Sequence, residues 1–249
     1  MKTKNLLFIL LVGMTTTFGF ISCTKDTKDE PNPDPTPSST KTVTIGTQIW
    51  MAENLNVTKY NDGTDIPNVS DAIAWNSLTT GGYCEYNNNP AMGVKYGKLY
   101  NWEAVNTGKL APTGWHIPSK TEWETLTTYL ENNGYDCAHL AYYSNIGKSL
   151  ASATGWMAST VNTWDVGSSG LPTFINKSGF TALPGGIRVA YPANNTAPFT
   201  NEGMGGEWWS TTTANVDQAF CMTLYYNQGT APVGGTYKDN GLSVRCVKN

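Results

Sequence analysis

The stretch Pro112-Thr-Gly-Trp-His-Ile-Pro-Ser-Lys-Thr-Glu-Trp-Glu-Thr-Leu126 decides how this chain folds. Ser119 stands where a helix N-cap stands, and Glu122 follows three residues later. In such a capping box the hydroxyl takes one orphan backbone N–H and the carboxylate reaches back to another. Trp123, Leu126 and Leu130 then recur at helical spacing, which predicts a helix from Lys120 to Glu131 with one buried stripe. Gly114 and Pro118 set the backbone that leads into it. Asn132-Asn133-Gly134 fits a C-cap. A capping box reports a helix and nothing about chemistry.

Working outward, Thr42 to Met51 alternates apolar and polar residues on both sides of Gly46-Thr47, the pattern of a two-residue hairpin. Its buried face is expected to hold Val43, Ile45, Ile49 and Met51, with Trp50 turned away or under a later loop. Lys59 to Gly93 is polar and aromatic without period and reads as long loops. A short helix is expected from Tyr96 to Val105, and one helical turn from Gly147 to Ser152. Short extended pieces are expected over Phe180 to Arg188 and Glu207 to Thr211. Gln218 to Tyr226 reads as a strand, Asn227 to Asp239 as a turn region, and Leu242 to Val247 as the closing strand.

The N-terminus has a different character. Residues 1–22 carry Lys2 and Lys4, an apolar run from Leu6 to Met14, and small residues up to Cys23, the layout of a secretory signal. The apolar run is too short to span a bilayer. Phe20-Ile21-Ser22 before Cys23 resembles a lipoprotein cleavage box, which makes Cys23 the lipidated residue. Residues 23–40 then form the anchor and a proline-rich tether with no apolar side chain to bury. Lys25-Asp26 resembles the charged surface-export signal of Bacteroidetes lipoproteins. The expected location is the outer membrane, lipid-anchored and surface-exposed, with the lipid as the sole membrane contact.

Residues 41–249 make one domain's worth of chain. The formal net charge of the whole sequence is −3, and loss of the leader removes two lysines and no acid, so nucleic acid is not an expected partner. Charged residues are only 14 %, which suits a loop-rich exported domain. Four cysteines follow Cys23: Cys84, Cys137, Cys221 and Cys246. An even count in an exported domain points to two disulfides, with three pairings open. No CxxC occurs and there are two histidines, so no metal site is expected.

Three stretches lie in order: Val43 to Asn56 (VTIGTQIWMAENLN), Lys95 to Leu126 (KYGKLYNWEAV through PTGWHIPSKTEWETL), and Phe180 to Val247 (FTALPGGIR, GEWWSTT, GLSVRCV). Together they closely resemble the Fibrobacter succinogenes major paralogous domain of exported Bacteroidetes proteins. That family looks like a branch of the C-type-lectin-like superfamily, near the formylglycine-generating type. The resemblance implies an α+β fold: two helices flanking small twisted antiparallel sheets, terminal strands close together, and long loops. The family often carries a cysteine where this chain has Ala111. The resemblance then implies Cys221–Cys246 and Cys84–Cys137 as the pairs, with free buried thiols as the alternative.

The formylglycine-generating relatives use two nearby cysteines; here Tyr225 and Tyr226 stand where the second would be needed beside Cys221, so a thiol oxidoreductase is a remote alternative. A Cys-His nucleophile would need His116 or His139, and His116 reads as a structural hydrogen-bonding residue. No catalytic residue is assigned. Trp102, Trp115, Trp123, Trp208 and Trp209 fall on the motifs and read as core. Trp75, Trp156, Trp164 and Tyr191 lie in variable stretches and are candidate ligand contacts. Asn201, Glu202 and Glu207 offer oxygens of the kind that hold calcium in sugar-binding lectins, although neither an EPN nor a WND string occurs. No cofactor is expected. The expected function is non-catalytic recognition of a glycan or a surface protein, with a purely structural or adhesin-associated domain as the alternative.

Overall fold

The structure is a computed structural model that describes residues 40–138 and 144–249. Cys23, the expected leader, the expected tether up to residue 39, and His139 lie outside the described residues. The elements run β1 (Thr42–Ile45), β2 (Gln48–Met51), α1 (Ala72–Asn76), β3 (Tyr83–Cys84), α2 (Pro90–Tyr96), β4 (Leu99–Tyr100), α3 (Trp102–Asn106) and β5 (Trp115–His116). They continue with α4 (Lys120–Asn132), α5 (Gly147–Leu150), β6 (Gly185–Arg188), β7 (Phe199–Glu202), β8 (Gly205–Thr213), β9 (Gln218–Tyr225), β10 (Val233–Tyr237) and β11 (Val247–Lys248). Short helices are interspersed with mostly antiparallel sheets, an α+β arrangement. No helix among the described residues is long and apolar enough to cross a membrane.

One sheet has the order β1-β2-β11-β5, and it joins the two ends of the domain: Val247 pairs with Trp50 on one side and with His116 on the other. The larger sheet has the order β10-β9-β8-β6-β7. Its one parallel contact is Gly186 opposite Gly206. Gly186 has φ +65, and a Cβ there would lie 2.4 Å from the Thr200 carbonyl, so only glycine fits the crossing.

The Pro112 to Leu126 stretch folds as its sequence predicts. Glu122 N–H donates to Ser119 Oγ (3.2 Å) and Ser119 N–H donates to Glu122 Oε2 (2.8 Å), a complete capping box. Trp123, Leu126 and Leu130 are fully buried. Trp123 stacks on Trp50 at 4.7 Å, with Phe180 edge-on to both. The indole N–H of Trp123 donates to the Trp209 carbonyl (3.3 Å) and that of Trp102 to the next carbonyl, Ser210 (3.0 Å). Thus α4 and α3 clamp adjacent peptide units of β8. Behind them, Asn54 Oδ1 accepts from Trp208 Nε1 (2.8 Å) and from Arg245 Nη2 (2.6 Å). Arg245 is fully buried, and burial pulls its pKa down to about 9.

Several expectations are corrected. In the first hairpin Val43 pairs with Trp50 and Ile45 with Gln48. Cross-strand partners share a face, so Trp50, not Ile49, joins Ile45 inside. The helix expected over Tyr96 to Val105 is interrupted. Gly97 takes φ +79, ending α2, and a Cβ there would meet the Leu55 carbonyl at 2.7 Å. The short strand β4 follows, and Asn101 caps α3 by accepting from Ala104 N–H. The loops expected before Gly93 contain α1 and β3, and the turn region after Asn227 contains β10. Most of Leu242 to Val247 runs extended through isolated bridges to Tyr100 and Trp208 rather than as one strand.

The expected disulfides are not formed: Cys84, Cys137, Cys221 and Cys246 are free thiols. Three of them have other company. Cys221 Sγ faces Glu207 Oε2 (3.8 Å), and Cys137 Sγ donates to the Asn145 carbonyl (3.1 Å). Cys84 packs with Trp75 and Leu99, away from the cluster that holds Cys221 and Cys246.

Candidate functional site

Side chains that meet a partner must first escape the core. Of the large apolar residues that do, three converge on one cleft: Tyr191 (48 % exposed), Tyr237 (60 %) and Val216 (86 %). The cleft encloses about 710 Å³, in the range of small-ligand sites. Its apolar floor is Val189 and Ala190.

Each wall is fixed locally. Asn215 Oδ1 accepts from the N–H groups of Asp217 and Gln218 (2.9 Å each), a side-chain turn that leaves Val216 at its tip. Tyr191 bridges to Thr196 across its own turn, and Asn76 at the end of α1 donates to the Thr196 carbonyl (2.9 Å). Asn240 ties the walls together: Oδ1 accepts from Ala190 N–H (3.0 Å) and Nδ2 donates to Thr236 Oγ1 (3.0 Å) on β10.

A strut stands beneath. Trp75 is 1 % exposed, so it is closed to any ligand; its Nε1 donates to the Asp239 carbonyl (2.8 Å). The Arg188 guanidinium lies 4.6 Å from the Trp75 ring centre and donates to the carbonyls of Val69 (2.6 Å) and Ser70 (2.9 Å). Trp75 therefore positions the cleft rather than lining it.

The cleft is acidic. Glu103, Asp217 and Asp239 line it against one base, Lys238. Lys238 Nζ is engaged with the Val216 carbonyl (2.7 Å) and lies 4.7 Å over the Trp102 ring. Burial, followed by the charges of Glu103 and Asp217, raises the Asp239 carboxyl above its ordinary range.

The other sequence candidates are scattered. Trp156 is half-buried, its Nε1 pinned by Ser152 Oγ (3.2 Å) and the Ala182 carbonyl (3.3 Å). Trp164 is half-buried against Gly229. Asn201, Glu202 and Glu207 lie on β7 and β8, and each is already engaged within the protein. Glu202 Oε1 accepts from Tyr96 Oη (2.6 Å) and pairs with Lys95 (3.5 Å). Tyr225 Oη accepts from Asn201 Nδ2 (3.2 Å) and donates to Glu207 Oε1 (3.0 Å). Burial raises the Glu207 carboxyl pKa, which further disfavours it as an open cation ligand. No group of three or more metal-binding side chains gathers among the described residues.

The Cys221 thiol is pushed up to about 12, first by burial and then by Glu207 beside it. A thiol so placed stays protonated and is a poor nucleophile. His116 Nε2 is occupied by Glu122 (2.6 Å) and Nδ1 by Asn249 (2.7 Å), the structural role its sequence context suggests.

Of the residues the sequence singles out, only Tyr191 lines the cleft. Val216, Tyr237, Asp217 and Asp239 escaped notice because they sit at or between turn-like stretches, and Glu103 because it reads as the outer face of a short helix. The available signal was local: a lone valine between Asn215 and Asp217, and a tyrosine directly before Lys238-Asp239.

The family model described as Fibrobacter succinogenes major domain matches residues 43–248. No curated protein and no solved structure matches the chain.

Proposed function

The chain belongs to the Fibrobacter succinogenes major domain family, and from that premise we propose a lipid-anchored, surface-displayed recognition domain that binds its ligand in the Tyr191–Tyr237 cleft without catalysis. One observation carries the proposal: three exposed large apolar side chains from separate segments converge on one cleft that a buried Trp75–Arg188 strut supports. Exposed apolar groups cost solubility unless a partner covers them. A rigid scaffold with function on its loops is the common plan for binding modules.

The terminal strands meeting through β11, with α3 and α4 seated on β8, support a C-type-lectin-like arrangement. The leader, Cys23 and the proline-rich tether support outer-membrane display. The ligand is a glycan or a surface protein. The test is parallel glycan and peptide arrays probed with the full-length protein and with a Tyr191→Ala/Tyr237→Ala variant of unchanged circular dichroism. Binding that the double variant loses supports the cleft. Binding that it keeps in full places recognition elsewhere.

A further inference from the structure

We propose that the cleft's occupant is a lysine- or arginine-bearing segment of a partner protein, an inference that rests on the recognition reading above. Three features of the cleft argue for it.

The first is charge. Glu103, Asp217 and Asp239 face one cavity, and the lone base there, Lys238, already spends its ammonium on the Val216 carbonyl and the Trp102 ring. The surplus is negative, and like charges facing one cavity gain from a cation placed among them. The second is the polar inventory. Ionised carboxylates only accept hydrogen bonds. A sugar's hydroxyls need donors as well as acceptors, whereas three of the cleft's four charged side chains only accept and the ammonium of the fourth already donates to the Val216 carbonyl. An ammonium or guanidinium supplies donors alone and matches the carboxylates. The third is the rim. Val216 and Tyr237 extend apolar surface outward from the acids, as does Tyr191 on the facing turn. Tyrosine faces favour cations, and tyrosine is enriched in protein interfaces. A peptide supplies both the cation and flanking side chains to cover Val216; a free amine covers nothing.

The experiment uses the full-length protein on an array of random heptapeptides whose central residue is Arg, Lys, Gln or Glu, with a glycan array in parallel. Arg- and Lys-centred peptides are expected to bind at least about tenfold more tightly than the others. That preference is expected to collapse in Asp217→Asn/Asp239→Asn. It is also expected to weaken between about 0.1 M and about 1 M salt, as the Debye length falls from about 10 Å to about 3 Å. The Tyr191→Ala/Tyr237→Ala variant is expected to lose binding to all peptides. Tyrosine-dependent binding with no cationic preference, or to glycans alone, overturns this inference and leaves the recognition reading standing. Binding indifferent to both pairs of substitutions, or no binding on either array, overturns both.

Discussion

His116 Nε2 lies 2.6 Å from Glu122 Oε1, while the other oxygen of that carboxylate receives the Ser119 N–H at 2.8 Å. One carboxylate thus closes the cap of α4 and fixes the loop that enters it. Burial opposes both charges, but the hydrogen bonds outweigh it: His116 sits above its ordinary pKa of 6.5 and Glu122 below its ordinary 4.5. The histidine's contribution is complete below its unfolded value and is lost as pH rises through its raised folded value. The glutamate's is present above its unfolded value and is lost as pH falls through its depressed folded value. Denaturation midpoints should therefore decline on both sides of mildly acidic pH. His116→Gln should flatten the alkaline decline. An unchanged alkaline limb in that variant would show the pair to be idle.

The cap and the stripe behind it should differ in weight. Ser119→Ala should cost about 1 kcal/mol, the usual value of an N-cap. Trp123→Ala should cost about 3–5 kcal/mol, because it empties a fully buried site against Trp50. Urea unfolding measures both, and equal small shifts would contradict the packing described.

Asn54 should matter more than a half-buried asparagine usually does. Its Oδ1 serves both Trp208 and the buried Arg245. Asn54→Ala leaves a buried guanidinium short of acceptors, a loss of about 3 kcal/mol or more. Asn54→Asp supplies acceptors and should recover part of that loss. A neutral alanine variant would mean that water replaces the amide.

The four thiols should be free and inert. Burial pushes Cys84, Cys221 and Cys246 up to about 12 and Cys137 up to about 11. Alkylating reagents should label them slowly in the folded protein and fully in guanidinium, without prior reduction. A reductant-dependent gain in labelled thiols would restore a disulfide.

What the sequence made legible followed from local physics. The capped helix was readable because Ser119, Glu122 and Trp123 obey rules that span one turn. The junction of the termini was readable through family motifs. Hairpin facing was missed because two-residue connections pair residues of opposite parity, so Val43 meets Trp50. The break at Gly97 was missed because its cause, the Leu55 carbonyl, comes from a distant loop. The cleft was hidden for the same reason. Tyr191 and Val216 come from two turns and Tyr237 from the end of β10, and only tertiary structure brings them together. Trp75 misled because a tryptophan in a loop-like stretch looks exposed, whereas α1 folds it under the cleft.

Anchoring has its own check. Growth with a clickable fatty acid should label the wild type, with the label lost in Cys23→Ala. Equal labelling would remove the lipid anchor from the account.

The central claim is that recognition occurs in the cleft, and hydrogen exchange tests it most directly. The full-length protein is measured with and without the tightest peptide from the array. Protection is predicted at residues 189–194, 215–217 and 237–239, with exchange unchanged at 156–164. Protection centred on Trp156 and Trp164, with the cleft segments unchanged, would contradict it.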